Sequence, residues 1–260
     1  MLKGRRAVVT GSTSGIGLGI ARALAAEGCS LLLNGFGRAD KIEALRAEIS
    51  GRFGVEVFFH GADLTRMEEC EALIREAQSR MGGVDVLVNN AGIQHVAPVE
   101  SFPVEEWDRI LAVNLTAAFH TVRMALPGMR RLGWGRILNI ASAHGLVGSA
   151  QKSAYVAAKH GLVGFTKVVA LETAGSGVTC NAVCPGWVRT PLVEEQIGRI
   201  AQAGGIENAE AAWRLLREKQ PSGKFTTVEQ IGAMAVFLCS EGAANITGSS
   251  MMVDGGWTAQ

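Results

Sequence analysis

The chain has 260 residues, of which 48% are hydrophobic and 19% charged, enough apolar material for a substantial core and too little charge for a disordered chain. The length suits one large domain or two small ones. A formal net charge of +1 provides no basic field to hold nucleic acid or an anionic membrane.

The first element is an apolar run at 6–10, Arg-Ala-Val-Val-Thr, which predicts a buried strand. Arg5-Arg6 ahead of it resembles the start of an export signal. The apolar stretch ends at once, however, in Thr10-Gly11-Ser12-Thr13-Ser14-Gly15, a structural turn, and a cytoplasmic protein is expected. Residues 16–27 have helical spacing and stop at Gly28. A second strand follows at 30–34, a helix at 41–50 and a third strand at 55–59. Thr65-Arg66-Met67-Glu68 has the form of a capping box and opens the next helix. The fourth strand is 84–88, and 107–131 is mostly helical, with Pro127 marking a kink or break. A strand at 136–140 leads to a long helix at 155–171 and a strand at 178–183. Thr227-Val228-Glu229-Gln230 caps a late helix through 238, and 251–253 is a last short strand. No segment reaches bilayer length; the best candidate, 161–171, is short and contains Lys167. The cysteines are odd in number and irregularly spaced, so no disulfide framework is expected. Cys180 and Cys184 lack a second Cys/His pair, which predicts buried thiols and no metal.

Strands that are apolar on both faces and separated by helices indicate a parallel sheet covered on both sides. One doubly wound α/β domain over 1–260 is the economical architecture. The polar insertion at 191–224, with Gly204-Gly205 in its middle, lies beyond a strand's carboxyl end, where such folds bind ligands. A helical lid over the substrate is expected there.

The turn Gly11-x-x-x-Gly15-Ile16-Gly17 joins the first strand to the first helix. Bare backbone at a helix N-terminus lets a pyrophosphate approach free amides and the helix dipole. A tight strand-to-helix turn is the ordinary alternative, and the place after the first strand favours the dinucleotide. At the end of the second strand, Asn34-Gly35-Phe36-Gly37-Arg38 offers neither a carboxylate for NAD nor a strand-end arginine for NADP. With no basic residue in the glycine turn, NAD is the expected cofactor, and Phe36 is placed to stack on its adenine or to pack as an ordinary aromatic.

Tyr155 is the sole tyrosine, and Lys159 shares its helical face four positions on. A free tyrosine titrates near pH 10, about 3 pH units too high for a neutral general base, a gap of ~4 kcal/mol. A cation at about 4 Å, in an effective dielectric of about 20, supplies that order, and an oxidised nicotinamide adds to it. Tyr-x-x-x-Lys alone is as compatible with a surface pair. Ser142, just past the strand 136–140, adds a hydroxyl where active sites form and is placed to orient the reacting oxygen.

With these residues the sequence resembles the short-chain dehydrogenase/reductase family over essentially its whole length. The motifs are Thr10-Gly11-x-x-x-Gly15-Ile16-Gly17, Asp63-Leu64, Asn89-Asn90-Ala91-Gly92, Asn114, Ser142, Tyr155-x-x-x-Lys159 and Pro185-Gly186. The resemblance implies a Rossmann-type domain with about seven parallel strands, usually a homotetramer, and a nicotinamide cofactor. It implies Tyr155 as base, Ser142 on the substrate oxygen, Lys159 on the nicotinamide ribose and Asn114 holding a water-linked proton relay. It implies Gly11, Thr13, Gly15, Ile16 and Gly17 at the phosphates, and Asp63 and Leu64 at the adenine. Asn90, Ala91 and Gly92 would lie along the ribose, and Pro185, Gly186, Val188 and Thr190 at the carboxamide.

Lys152 lies three positions before Tyr155 and His144 two after Ser142, with Gln94 and the lid residue Gln196 as further hydrogen-bonding groups. A cation among neutral donors suits a small carboxylate. Trp187 and Trp257 would wall off a small pocket, or else serve as core. Solvated loop roles are the alternatives for the other four. The segments around 92–95, 141–145, 152–155 and 184–194 are similar to those of family members that oxidise (R)-3-hydroxybutyrate to acetoacetate with NAD. In those members Gln94, His144, Lys152 and Gln196 correspond to the carboxylate's ligands. A relative acting on 3-oxoacyl, polyol or steroid substrates is the competing expectation, and a non-catalytic nucleotide-sensing scaffold a more distant one.

Overall fold

A computed structural model describes residues 2–260. Its centre is one seven-stranded sheet in the order β3-β2-β1-β4-β5-β6-β7, with every pairing parallel. The strands are β1 (Arg6–Val9), β2 (Ser30–Asn34), β3 (Val57–His60), β4 (Val86–Asn89), β5 (Gly135–Ile140), β6 (Val178–Pro185) and β7 (Ser250–Val253). The helices are α1 (Gly15–Ala26), α2 (Ala39–Phe53), α3 (Met67–Met81), α4 (Val104–Leu111), α5 (Ala117–Leu132), α6 (Ser153–Thr173), α7 (Pro191–Gly204), α8 (Asn208–Lys219) and α9 (Val228–Cys239).

The period-two geometry of a strand divides the core in two. Ala7 and Val9 of β1 face one way, with Leu31, Leu33, Val86 and Val88, against Ile20 and Leu24 of α1 and Ile231 and Leu238 of α9. Val8, Leu32, Leu87 and Ile137 face the other way, against Leu73 and Ile74 of α3 and Val122 and Met129 of α5. Both faces are covered, which is why the strands read as continuous apolar runs. The strand order reverses between β1 and β4, opening a crevice at their carboxyl ends.

Three expectations need correction. The 107–131 segment is interrupted by a π turn over Ala112–Thr116, and Pro127 lies inside α5 without breaking it. Packing of buried Ala125 and Met129 on either side of Pro127 holds the helix through the missing donor. Thr65 caps nothing: its hydroxyl donates to Asp63 Oδ1 at 2.8 Å, and α3 begins after Arg66 with no side-chain cap. Finally, the joined helix Val104–Leu132, 29 residues with a window of mean hydropathy 1.2, does meet the length and composition of a membrane span. It also carries Glu105, Glu106, Asp108, Arg109, Arg123, Arg130 and Arg131, and it packs on α3, α6, β4 and β5 as a core helix of the sheet domain. The Thr227–Gln230 capping box forms as expected, and all five cysteines are free and buried.

Candidate active site

A cleft of about 720 Å³ opens at the reversal point. Its floor is the turn after β1. Gly11 and Gly15 adopt left-handed angles, φ 60° and 54°, and a side chain on Gly17 would strike the Gly11 carbonyl and the Asn90 amide. Ser14 precedes α1 without a side-chain cap, so the first amides of the helix face the cleft with no partner of their own. That bare, uncapped turn fits a pyrophosphate.

Gly11, Thr13, Gly15, Ile16, Phe36, Asp63, Leu64, Asn90, Ala91, Gly92, Tyr155, Lys159 and Thr190 all line the cleft. Gly17, Pro185, Gly186 and Val188 are not among the residues that line it. The lining also includes Arg109, Val113 and Ile140, which motif reasoning missed. Val113 adjoins Asn114, but Arg109 carries no sequence signal.

Asn34 borders the cleft, but its side chain is spent on internal hydrogen bonds. Its buried side chain accepts from Gly11 N at 3.3 Å and donates to His60 O and Ala62 O at 3.0 and 3.1 Å. It thereby ties the glycine turn to the loop carrying Asp63. The adenosine end therefore presents the exposed Phe36 ring, and Arg38 is paired with Asp40 at 3.0 Å. Asp63 is held charged by the Thr65 amide and hydroxyl, which lower its pKa.

α6 carries Tyr155 and Lys159 along the far wall. Lys159 is buried, donates to Ile140 O at 2.7 Å and sits 5.5 Å from the centre of the Tyr155 ring. Burial pushes this lysine down to about 8. The Tyr155 phenol is raised by burial and pulled partly back by a hydrogen bond with Ser142. Lys159 Nζ stands 5.5 Å from the ring centre, and in the protein without cofactor burial outweighs the Ser142 hydrogen bond, leaving the phenol raised. Asn114, at the centre of the π turn, is fixed on Ile93 through both ends of its amide: Oδ1 accepts from Ile93 N and Nδ2 donates to Ile93 O, both at 2.9 Å.

Next to Tyr155, and outside the residues that line the cleft, as are Ser142, Gln94 and Gln196, lies an aromatic and cationic cluster. His144 lies edge-on to Tyr155 at 6.0 Å and to Trp257 at 5.0 Å, and Trp257 lies 5.5 Å from Trp187. Lys152 Nζ sits 5.1 Å over the Trp187 ring. Ser142 Oγ accepts from His144 N at 3.2 Å and starts the short turn that aims the imidazole. Lys152 is 8% exposed and, among the described residues, pairs with no carboxylate. His144 Nε2 and Trp187 Nε1 are buried without a partner. Burial, then the charge of Lys152, pushes His144 down to about 4, so the ring is neutral at physiological pH. A buried ammonium and two buried ring nitrogens thus lie in one cluster without partners, which is costly unless a hydrogen-bonding group arrives.

Gln94 and Gln196 are half-buried and make no hydrogen bond among the described residues. The backbone near Gln94 is drawn to this wall by Ala97 N donating to Gln151 O at 3.0 Å. Gln151, immediately before Lys152, is the one non-glycine with positive φ among the described residues, at 63°. Such strain next to a site is a common mark of function, and nothing in the sequence announced it.

The family model described as "Enoyl-(Acyl carrier protein) reductase" matches residues 11–258. The chain is 61% identical over its full length to the D-beta-hydroxybutyrate dehydrogenase of Cupriavidus necator, covering 100% of both chains. It is 54% identical to the protein of that name from Rhizobium meliloti, over 98% of this chain and 99% of the relative. The solved L-sorbose reductase of Gluconobacter frateurii, a complex with NADPH and L-sorbose, superposes with a TM-score of 0.95 at 30% identity, over 100% of this chain and 98% of that one. The chain belongs to the short-chain dehydrogenase/reductase family.

Proposed function

We propose that this oxidoreductase interconverts (R)-3-hydroxybutyrate and acetoacetate with NAD, using Tyr155 as its general base. The observation that carries the substrate is the unpaired, buried Lys152 beside the partnerless donors of His144 and Trp187. A carboxylate satisfies all three, and Trp187 and Trp257 leave room for a short chain. Gln94 and Gln196 complete the grip, Gln196 from α7 as the α7–α8 segment closes over the substrate as a lid. Fixing one end of a short molecule places the carbon next to its carboxymethylene against the cofactor face of the cleft.

The cofactor supplies the hydride acceptor and, when oxidised, a positive charge near the phenol. The uncapped amides of α1 hold its pyrophosphate, and Asp63 and Phe36 border its adenine. NAD is favoured because neither β2 nor the glycine turn carries a basic residue, and Arg38 lies beyond two glycines, beside Asp40. Tyr155 takes the substrate hydroxyl proton while Ser142 holds the same oxygen. Lys159 keeps the phenolate form accessible and hands the proton onward. The Asn114 side chain is oriented by Ile93, and a relay water is held at Asn114, in the π turn. The active assembly is a homotetramer.

The test is NADH formation with each enantiomer of 3-hydroxybutyrate, and with NADP in place of NAD. Turnover of the (R) form with NAD alone is the expected result. Preference for NADP, or turnover only of a polyol, 3-oxoacyl or steroid substrate, sinks the assignment.

A further inference from the structure

The segment α7–α8 leaves and rejoins the sheet domain through one narrow neck. Val188 and Thr226 form an isolated parallel bridge there, with Thr226 N donating to Trp187 O at 2.9 Å and Arg189 N to Thr226 O at 3.3 Å. One further side chain joins the two arms. Gln220, just past α8, is 1% exposed. Its Oε1 accepts from Trp187 N at 2.8 Å, on the outgoing arm, and its Nε2 donates to Lys224 O, on the returning arm. The amide fits a slot bared by two glycines. A Cβ on Gly186 would lie 2.5 Å from Gln220 Oε1, and one on Gly255 2.7 Å from Gln220 Cγ. Gly255 also accepts from Ser222 N at 3.0 Å, next to the turn that carries Trp257. Both tryptophans of the pocket are thus referenced to this one glutamine.

We propose that Gln220 is the positioning residue that clasps the neck of α7–α8 and sets the Trp187 and Trp257 walls at the spacing a short hydroxy acid requires; this rests on the proposed function above. A buried amide suits the task because it joins an acceptor oxygen to a donor nitrogen, so one group can hold both arms. Gln220 does not line the cleft, so its loss weakens the substrate's fit without removing a reacting group.

Gln220→Glu is the discriminating replacement. Its carboxyl, when protonated, keeps both the carbonyl acceptor and a donor, whereas the ionised form turns an acceptor toward Lys224 O. Lys219 and Lys224 flank the position and Asp254 lies across it, so the variant is compared with wild type in the same buffers. For Gln220→Glu, the KM for (R)-3-hydroxybutyrate is expected near wild type at pH 6 and at least tenfold higher at pH 9. Its kcat should stay within threefold and NAD affinity should be unchanged. Gln220→Met, neutral at every pH, should show the raised KM at both. Trypsin should also cut the 191–219 segment several-fold faster in Gln220→Met, a readout that needs no substrate and survives failure of the functional assignment. A Gln220→Met variant with wild-type KM and wild-type cleavage overturns the proposal. So does a parallel loss of kcat, KM and NAD affinity, which marks general damage.

Discussion

Burial acts in opposite senses on the groups around Tyr155, and each sense has a consequence. A phenol is neutral when protonated, so burial raises Tyr155; an ammonium and an imidazolium are charged, so burial lowers Lys159 to about 8 and His144 to about 4. Tyr155→Phe removes the hydroxyl that Ser142 holds while keeping the ring packed on His144. Turnover should fall at least ~100-fold, as for loss of a general base, while NAD binding followed by fluorescence stays within about threefold, as expected when ring packing and cofactor contacts persist. A variant that keeps near-normal turnover would remove Tyr155 from the chemistry. For His144 the sign runs toward acid. The unfolded ring binds a proton below about 6.5 and the folded ring only below about 4, so the unfolded state holds more protons in that window and stability drops as pH falls through it. Below it the loss approaches about 3 kcal/mol. His144→Gln lacks this linkage. Calorimetric melting at pH 7 and pH 4.5 should show a smaller acid-induced drop in the variant than in wild type, and equal drops would contradict the buried neutral histidine.

Helix packing transmits precision to the glycine turn. α1 and α9 approach closely because both carry glycine at the crossing: a Cβ on Gly232 would lie 2.9 Å from Ala23 Cβ and 3.1 Å from the Gly19 carbonyl. Gly232→Ala must push α1 away or strain it, at a cost of roughly 1–3 kcal/mol. Because the free amides at the start of α1 face the cleft, NAD affinity should fall together with the melting temperature; unchanged affinity in the destabilised variant would uncouple the two. Sequence patterning was informative at this scale wherever local rules decide. Alternating apolar runs located all seven strands, and Thr227 with Gln230 announced the start of α9. It failed where tertiary contacts override those rules. Pro127 looks like a helix breaker, yet packing carries α5 through it, and the real irregularity is the π turn over Ala112–Thr116, which contains neither proline nor glycine to mark it. Thr65 looks like a cap, yet Asp63 claims its hydroxyl. Gln220 has no motif at all, because its role depends on two chain segments meeting over a pair of glycines.

At the scale of the whole molecule, α7 and α8 stand apart from the sheet's two cores. Val193, Ile197, Ala201, Ala211 and Leu215 make a separate cluster, whose partly buried neighbours include Trp187 and Phe225. A unit with its own small core and a single neck can shift as a body at little cost in packing, which is how a lid admits substrate and then excludes water. Lys152 lies 5.1 Å over the ring of Trp187, which packs against this unit, so in the proposed reaction a carboxylate held by Lys152 would tie the unit to the sheet domain. Trypsin sites within it, at Arg199, Arg214 and Arg217, report its opening. Cleavage there should be the earliest cut in the protein, nearly unaffected by NAD alone and slowed several-fold by NAD with acetoacetate. Lys152→Ala should abolish that protection while leaving NAD binding intact, because the mutation removes the charge that a closed lid encloses. Protection by NAD alone to the same degree would mean that the cofactor closes the segment and that the carboxylate contacts do not.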